Sequence, residues 1–170
     1  MRFEALREAH APLLFPALAP PRVYRYLPER PPDSVEALAR RFAALARGAP
    51  PDIAQIWLNW AIARREPEEW IGTLQATILP DRGGAGAYAL IGYVLAPTAW
   101  GQGLGTAAAR WLVEELARRF ALDRLVATVD VRNQASVRLL ERVGFVRIGA
   151  EPAELLGEAT TDFRYQLRYG

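Results

Sequence analysis

The sequence predicts a mixed α/β fold, a mostly antiparallel central sheet of about six or seven strands flanked by helices. Three observations carry this. Strand-like segments follow one another between Ile56 and Leu95 with turns between them. A strongly patterned helix occupies residues 104–120, and beyond it strands and helices alternate. Strands laid first in a meander and then joined by crossover helices make a mixed sheet.

In chain order, residues 2–6 fit a short strand and residues 9–18 one or two helical turns. The prolines from Pro20 to Pro32 forbid a regular helix interior and leave that stretch irregular or partly extended. Asp33 and Glu36 have capping-box spacing, Val35, Leu38, Phe42 and Leu45 recur at helical intervals, and Gly48 supplies a stop. Ile56, Leu58, Trp60 and Ile62 alternate along a strand, residues 70–79 are rich in strand formers, and residues 65–68 form the turn between them. Residues 80–86 give a second turn before a strand over 88–95. Leu104, Ala108, Leu112, Leu116 and Phe120 lie four apart on one helical face. A β-branched strand over 125–131, a helix over 134–143 stopped by Gly144 and a strand over 145–148 follow. Last, Phe163, Tyr165, Leu167 and Tyr169 alternate with Arg164, Gln166 and Arg168, as in a strand with one buried face.

At 170 residues, 51% hydrophobic and 24% charged, the chain has the balance of one soluble globular domain over 1–170. It has no apolar run near the roughly 20 residues that span a bilayer and no secretory core at its start, so a cytoplasmic place away from membranes is expected. The absence of cysteine excludes a disulfide framework, a thiolate metal site and a cysteine nucleophile. The absence of lysine excludes a Schiff base and a P-loop. His10, the one histidine, has no ligand cluster beside it, so no metal is expected. With a net charge of +2 and scattered arginine pairs, there is no nucleic-acid footprint. Trp57, Trp60 and Trp70 are expected to pack in the core or at an edge.

After Leu95 the chain offers Gly101, Gly103 and Gly105 within five residues and enters a helix at about Leu104. Glycines let the backbone turn tightly and approach a ligand, and the unpaired N–H groups of a first helical turn favour a pyrophosphate. Such a loop can equally be a plain strand-to-helix connection. Gly103-x-Gly105-x-x-Ala108 also fits a loose dinucleotide fingerprint, but residues 96–101 intervene after the strand and only Asp123 stands near the place of a ribose acid. A second motif follows the next strand, Asn133-Gln134-Ala135-Ser136-Val137-Arg138-Leu139-Leu140-Glu141-Arg142-Val143-Gly144-Phe145. Alone, Asn133 there is a helix cap.

Together the loop Trp100-Gly101-Gln102-Gly103-Leu104-Gly105, the following strand and N-x-x-S-x-x-L-L-E-x-x-G-F resemble the GCN5-related N-acetyltransferase (GNAT) family, closest to its branch of ribosomal-protein N-terminal acetyltransferases. The resemblance covers residues 91–148 well, and the stretch from Arg22 to Pro32 echoes the R-Y-L-P segment of that branch. It implies acetyl-CoA as co-substrate and an amine acceptor, either a protein N-terminus or a small molecule, with a homodimer as the assembly. It also implies that the backbone of Gln102, Gly103, Leu104, Gly105 and Thr106 holds the pyrophosphate. Tyr93, Val94 and Leu95 line the pantetheine and thioester, and Asn133 and Ser136 touch the pantetheine arm. Trp100 stands where the family carries Gln or Arg.

The family transfers the acyl group directly to the amine, which suits a chain without cysteine or lysine. A backbone N–H of Val94 or Leu95 would then stabilise the oxyanion. The family's acidic Tyr corresponds to Leu140, and a Glu seen in the branch corresponds to Leu90. Ser136 or water is left as the acid, and Glu66, Glu68, Glu69 or Asp130 as the base, with Asp130 the nominee. The missing groups keep open a non-catalytic acyl-CoA-binding or sensor module. Residues 2–51 are expected to cover the acceptor cleft.

Overall fold

The structure, a computed structural model, describes residues 1–80 and 86–169. Seven strands, β1 (Arg2–Ala5), β2 (Ile56–Arg64), β3 (Glu69–Pro80), β4 (Ala87–Leu95), β5 (Arg124–Asp130), β6 (Val146–Leu155) and β7 (Glu158–Arg168), form a sheet in the order β1-β2-β3-β4-β5-β7-β6. Every pairing is antiparallel except β4 with β5, which run parallel because helix α3 (Leu104–Arg119) carries the chain back between them. The mixed, mostly antiparallel sheet expected from the sequence is therefore present.

The remaining helices are α1 (Ala11–Leu18), α2 (Val35–Ala46) and α4 (Gln134–Val143). Helices α3 and α4 cover one face of the sheet. There Ala108, Leu112 and Leu116 of α3 and Val137 and Leu140 of α4 meet Ile62, Leu74, Ile91, Leu125, Val129 and Tyr165 in the main core. Period-2 alternation turns the intervening residues the other way, so Ala61, Trp70 and Val94 meet Leu14, Leu18, Leu38 and Phe42 of α1 and α2. Leu112, Leu116 and Leu125 are wholly buried, each contributing about 2 kcal/mol of transfer free energy. The two helical layers thus leave opposite faces of the sheet for different work.

Two details differ from expectation. The cap of α2 is Ser34, whose hydroxyl accepts from Ala37 N–H at 3.1 Å, and not Asp33; Ser34 has the extended backbone a cap needs. The last hairpin is longer than its apolar alternation suggests. β6 continues from Ile148 to Leu155 and β7 begins at Glu158, because this edge of the sheet is held by backbone pairing while its side chains are mostly exposed. The turn expected over residues 80–86 falls, for 81–85, outside the described residues. Among the described residues no helix is long and apolar enough to cross a membrane.

His10 is buried and structural. Its Nδ1 accepts from the Arg7 N–H at 3.0 Å, which leaves Nε2–H to donate to Glu4 at 3.1 Å. That bond to His10 is the main reason the Glu4 carboxyl is held below its ordinary range. Trp60 is buried beside Trp111, which stacks on Phe3 with ring centres 3.9 Å apart.

Candidate active site

The parallel pair β4 and β5 is joined over only three positions, Tyr88 with Arg124, Ala89 with Leu125 and Leu90 with Val126. Beyond them each strand stays paired on its outer side, β4 with β3 as far as Leu95 and β5 with β7 as far as Asp130. The inner edges part, leaving an opening at the carboxyl ends of two parallel strands, where open α/β sheets bind ligands. Counting on from Leu90, Val94 is level with Asp130 across this opening. A Cβ on Gly72 would stand 2.1 Å from the Val94 carbonyl oxygen, and Ala96 N–H donates to Ile71 at 2.7 Å, so Val94 turns its peptide groups to β3. Alternation then aims those of Tyr93 and Leu95 into the opening. The Leu95 carbonyl is met there by the Trp100 indole N–H at 2.9 Å.

At the top of the opening Gly101 and Gly103 have φ of +72° and +76°, with nothing within 4 Å of where a Cβ would be. Left-handed backbone and open space together favour glycine at both. Gly103 is the N-cap of α3, and Ala107 N–H is bonded to its carbonyl at 3.0 Å. The N–H groups of Gly103, Leu104, Gly105 and Thr106 are those that a first turn leaves without helical partners. They point out of the N-terminus of a 16-residue helix, whose dipole favours an anion. This donor set fits a pyrophosphate. Gly105 has a different reason to be glycine, since a Cβ there would meet Leu139 at 2.8 Å and Leu95 at 3.1 Å. Gln102 reaches back to bond the Thr98 carbonyl with its side-chain amide.

Helix α4 begins beside the same opening. Asn133 caps it, accepting from Ser136 N–H at 3.2 Å, and Ser136 lies in its first turn. Across the gap stands Tyr93, on the face of β4 that looks toward α3 and α4. Burial pushes its phenol up to about 12, and the nearby Ser136 hydroxyl offsets only part of that. Tyr93 therefore stays protonated throughout the neutral range, with its hydroxyl close to that of Ser136.

On the opposite face Asp130 is buried and fully bonded. Its Oδ1 accepts from Arg132 N–H at 2.8 Å and Nε at 2.9 Å, and its Oδ2 from Arg132 Nη2 at 2.6 Å and the Thr160 hydroxyl at 2.9 Å. The Arg132 side chain is the chief cause that holds the Asp130 carboxyl down at about 2, against the opposing effect of burial. Arg132 in turn lines an open cavity of about 440 Å³ with Arg25, Tyr26, Leu155, Leu156 and Glu158. Leu156, at the hairpin tip, has a φ of +53°; an apolar residue there is a strained conformation held by the turn. Three segments far apart in the chain, one before α2, one between β5 and α4 and one at the β6–β7 tip, thus enclose one space.

The sequence profile of the acetyltransferase (GNAT) domain matches residues 1–146. The chain belongs to this family. It is accordingly an acyltransferase enzyme. The uncharacterized N-acetyltransferase YoaA of Bacillus subtilis (strain 168) is 28% identical over 147 residues, 85% of this chain and 78% of that protein. Among solved structures, the acetyl transferase of Salmonella typhimurium that modifies the N-terminal serine of 50S ribosomal subunit protein L7/L12 has a TM-score of 0.80 at 23% identity, over 99% of this chain and 94% of that one. The RimL ribosomal L7/L12 α-N-protein acetyltransferase in complex with coenzyme A has a TM-score of 0.78 at 22% identity, over 98% and 92%. At these identities the two structures establish the shared fold.

Within this GNAT fold, the residues expected to bind the co-substrate all border the opening: Tyr93 and Leu95 on β4, Trp100 through Thr106 at its top, Asn133 and Ser136 on α4. Val94 is level with them but turns its peptide to β3, so of the two oxyanion donors named from the sequence only Leu95 N–H points inward. Asp130, the nominated base, has both oxygens occupied by Arg132 and Thr160 and holds no proton until the pH is far below neutral. Glu66 and Glu68 lie in the exposed turn between β2 and β3, and Glu69 pairs with Arg64. Leu140, where the family's Tyr stands, is buried in the core. Sequence reasoning missed the Tyr93 phenol as Ser136's partner and missed the cavity formed by Arg25, Arg132 and the hairpin tip. The alternation of β4 could have put Tyr93 on the α4 face; no sequence signal joins the three segments of the cavity.

Proposed function

We propose that this acetyltransferase moves the acetyl group of acetyl-CoA directly to a primary amine, of a protein N-terminus or a small molecule, with both substrates bound at once in the β4–β5 opening. The observation that carries this reading is the opening itself. Two strands paired through Leu90 and Val126 separate just where the free N–H groups of the α3 N-terminus and the inward peptides of Tyr93 and Leu95 converge. The first would meet the pyrophosphate of acetyl-CoA and the second the amides of its pantetheine arm. Acetyl-CoA, once bound, supplies an activated acyl group whose carbonyl carbon accepts the amine.

The chain's own residues then have three tasks. Leu95 N–H, held in place by the strand, meets the negative charge that builds on the acyl oxygen; a donor so placed is worth on the order of 10²–10³ in rate. Ser136, with the Tyr93 hydroxyl close to it, delivers a proton to the leaving sulfur. A thiolate with a pKa of about 8.5 needs less help than an alkoxide, so a hydroxyl pair in place of the family's Tyr is adequate. Asp130 fixes Arg132 in the wall of the 440 Å³ cavity, and the acceptor enters from that face. The ribosomal L7/L12 enzymes, with the same fold, act on a protein N-terminus, which makes short peptides with free N-termini the first acceptors to try.

Thermal shift with acetyl-CoA, CoA and NAD in parallel tests the donor half, because a ligand that binds only the folded state raises the melting temperature. Stabilisation by the CoA ligands alone is expected. A shift with NAD and none with CoA would overturn the reading. CoA release with a panel of peptides, polyamines and amine-bearing antibiotics then tests the transfer. CoA binding without acetylation of any of them would count against it.

A further inference from the structure

Resting on the reading above, we propose that Asp162 is the base that takes the proton of the acceptor ammonium. It is the register neighbour of Asp130 across β5 and β7, and the Asp130 bond to Thr160, two residues before Asp162, shows that these side chains share the face away from α4. Asp162 therefore stands beside the end of β5, across that strand from the opening, on the face of the sheet where its neighbour Asp130 holds Arg132 in the wall of the 440 Å³ cavity.

The two neighbours have opposite surroundings. Asp130 accepts four hydrogen bonds. Asp162, half-buried, has no hydrogen bond or ion pair among the described residues. The charged groups around it are Asp130 on β5, Glu151 opposite it on β6, Arg164 of β7 at 4.0 Å from Glu151, and Arg132 from the β5–α4 turn. Burial raises its carboxyl above the ordinary range, Asp130 and Glu151 raise it further, and Arg132 opposes them. A half-buried carboxylate that no hydrogen bond occupies, between two carboxylates that each have an arginine, is the one left to accept from an ammonium. Its raised proton affinity also narrows the gap to an amine.

The proton account closes. The ammonium gives one proton to Asp162, directly or through one water, and its freed lone pair forms the carbon–nitrogen bond. The carbon–sulfur bond breaks and sulfur leaves with the electron pair. The second proton, lost from nitrogen as the amide forms, reaches sulfur through Ser136 and Tyr93. Asp162 returns its proton to solvent, so each turnover releases one proton with one CoA.

The test is the pH dependence of kcat/KM for the acceptor, at saturating acetyl-CoA, in wild type, Asp162→Asn, Asp162→Glu and Glu154→Gln, the last an exposed carboxylate of β6 outside the cavity lining. The expected result is a loss of about 100-fold in Asp162→Asn together with its acid limb, leaving only the limb of the acceptor amine. Asp162→Glu should keep a displaced acid limb, Glu154→Gln should keep the wild-type profile, and all three should bind CoA as wild type does. An unchanged profile in Asp162→Asn, or an equal loss of the acid limb in Glu154→Gln, would overturn the assignment. Loss of CoA affinity in both Asp162 variants would make the residue structural and overturn it as well. A wild type that fails to bind CoA would instead sink the proposed function.

Discussion

The two sides of the β4–β5 opening are built on different principles. The donor side uses backbone: N–H groups at the start of α3, inward peptides on β4, and a capped α4. Each part comes from a short continuous stretch. The acceptor side uses side chains, Arg25 and Tyr26, Asp130 and Arg132, and the residues around Leu156, from segments more than a hundred positions apart at the extremes. A site that binds through backbone leaves glycines and caps as its trace in the sequence. A site that binds through side chains on separate elements leaves no period and no spacing.

The sharpest way to break this comparison is at Gly103, where the backbone is left-handed and the space beside it empty. Gly103→Val forces a β-branched residue into that conformation, at a cost of about 1–2 kcal/mol, and puts its methyl groups where a pyrophosphate must approach. CoA affinity by calorimetry should fall about 100-fold, the sum of strain and occlusion. Gly103→Asn, which tolerates the conformation, should lose much less. Equal losses would mean that the glycine is needed for space alone.

Asp130→Asn strikes the other side. It removes a buried carboxylate's bonds to Arg132 and Thr160, which should cost about 2 kcal/mol and lower Tm by roughly 4–8 °C. The acid limb of the rate profile should stay. Because Arg132 depresses the folded-state pKa of Asp130 to about 2, its stabilisation is present above the unfolded value near 4 and is lost as pH falls through about 2. The gap in Tm between wild type and variant should therefore close as pH falls across that window. A gap that persists at the lowest pH would mean the charge is not what Asp130 contributes.

This contrast also explains what could be read from the sequence. The sheet, its strand count and α3 were legible because burial imposes a period of 2 or 3.6 on Ile56 to Ile62 and on Leu104 to Leu116. The loop from Trp100 to Thr106 and the cap Asn133 were legible because glycine and asparagine are chosen for local backbone reasons. The outer part of β6 was illegible, since exposed Glu151, Pro152 and Glu154 carry no alternation. Asp130 was misleading for a related reason. A carboxylate at a strand end looks the same in sequence whether free or bonded to the Arg two residues later, and only the fold brings Thr160 to it and sets Asp162 alongside.

Ser136→Ala sharpens the donor side. If Ser136 passes a proton to sulfur, kcat should fall about tenfold with little change in the acceptor KM, a modest loss because a thiolate leaves readily. Tyr93→Phe should give a similar loss, and the double variant little more than either, since the two hydroxyls act as one chain. Losses that multiply in the double variant would mean that each acts independently. No loss in Ser136→Ala would return the proton to water.

The smallest effect should come from Trp100, the departure from the family's Gln or Arg. Its ring is about half exposed, so packing contributes little, but its indole N–H bonds the Leu95 carbonyl. That bond ties the first residue of the glycine loop to the last residue of β4 and so sets where the helix N-terminus lies relative to the inward Leu95 peptide. Trp100→Phe keeps the ring and removes the donor, which should cost about 1 kcal/mol, or about fivefold in CoA affinity, with kcat unchanged. If kcat falls instead, the bond aligns the Leu95 N–H and not the phosphate loop, and the donor side depends on a side chain after all.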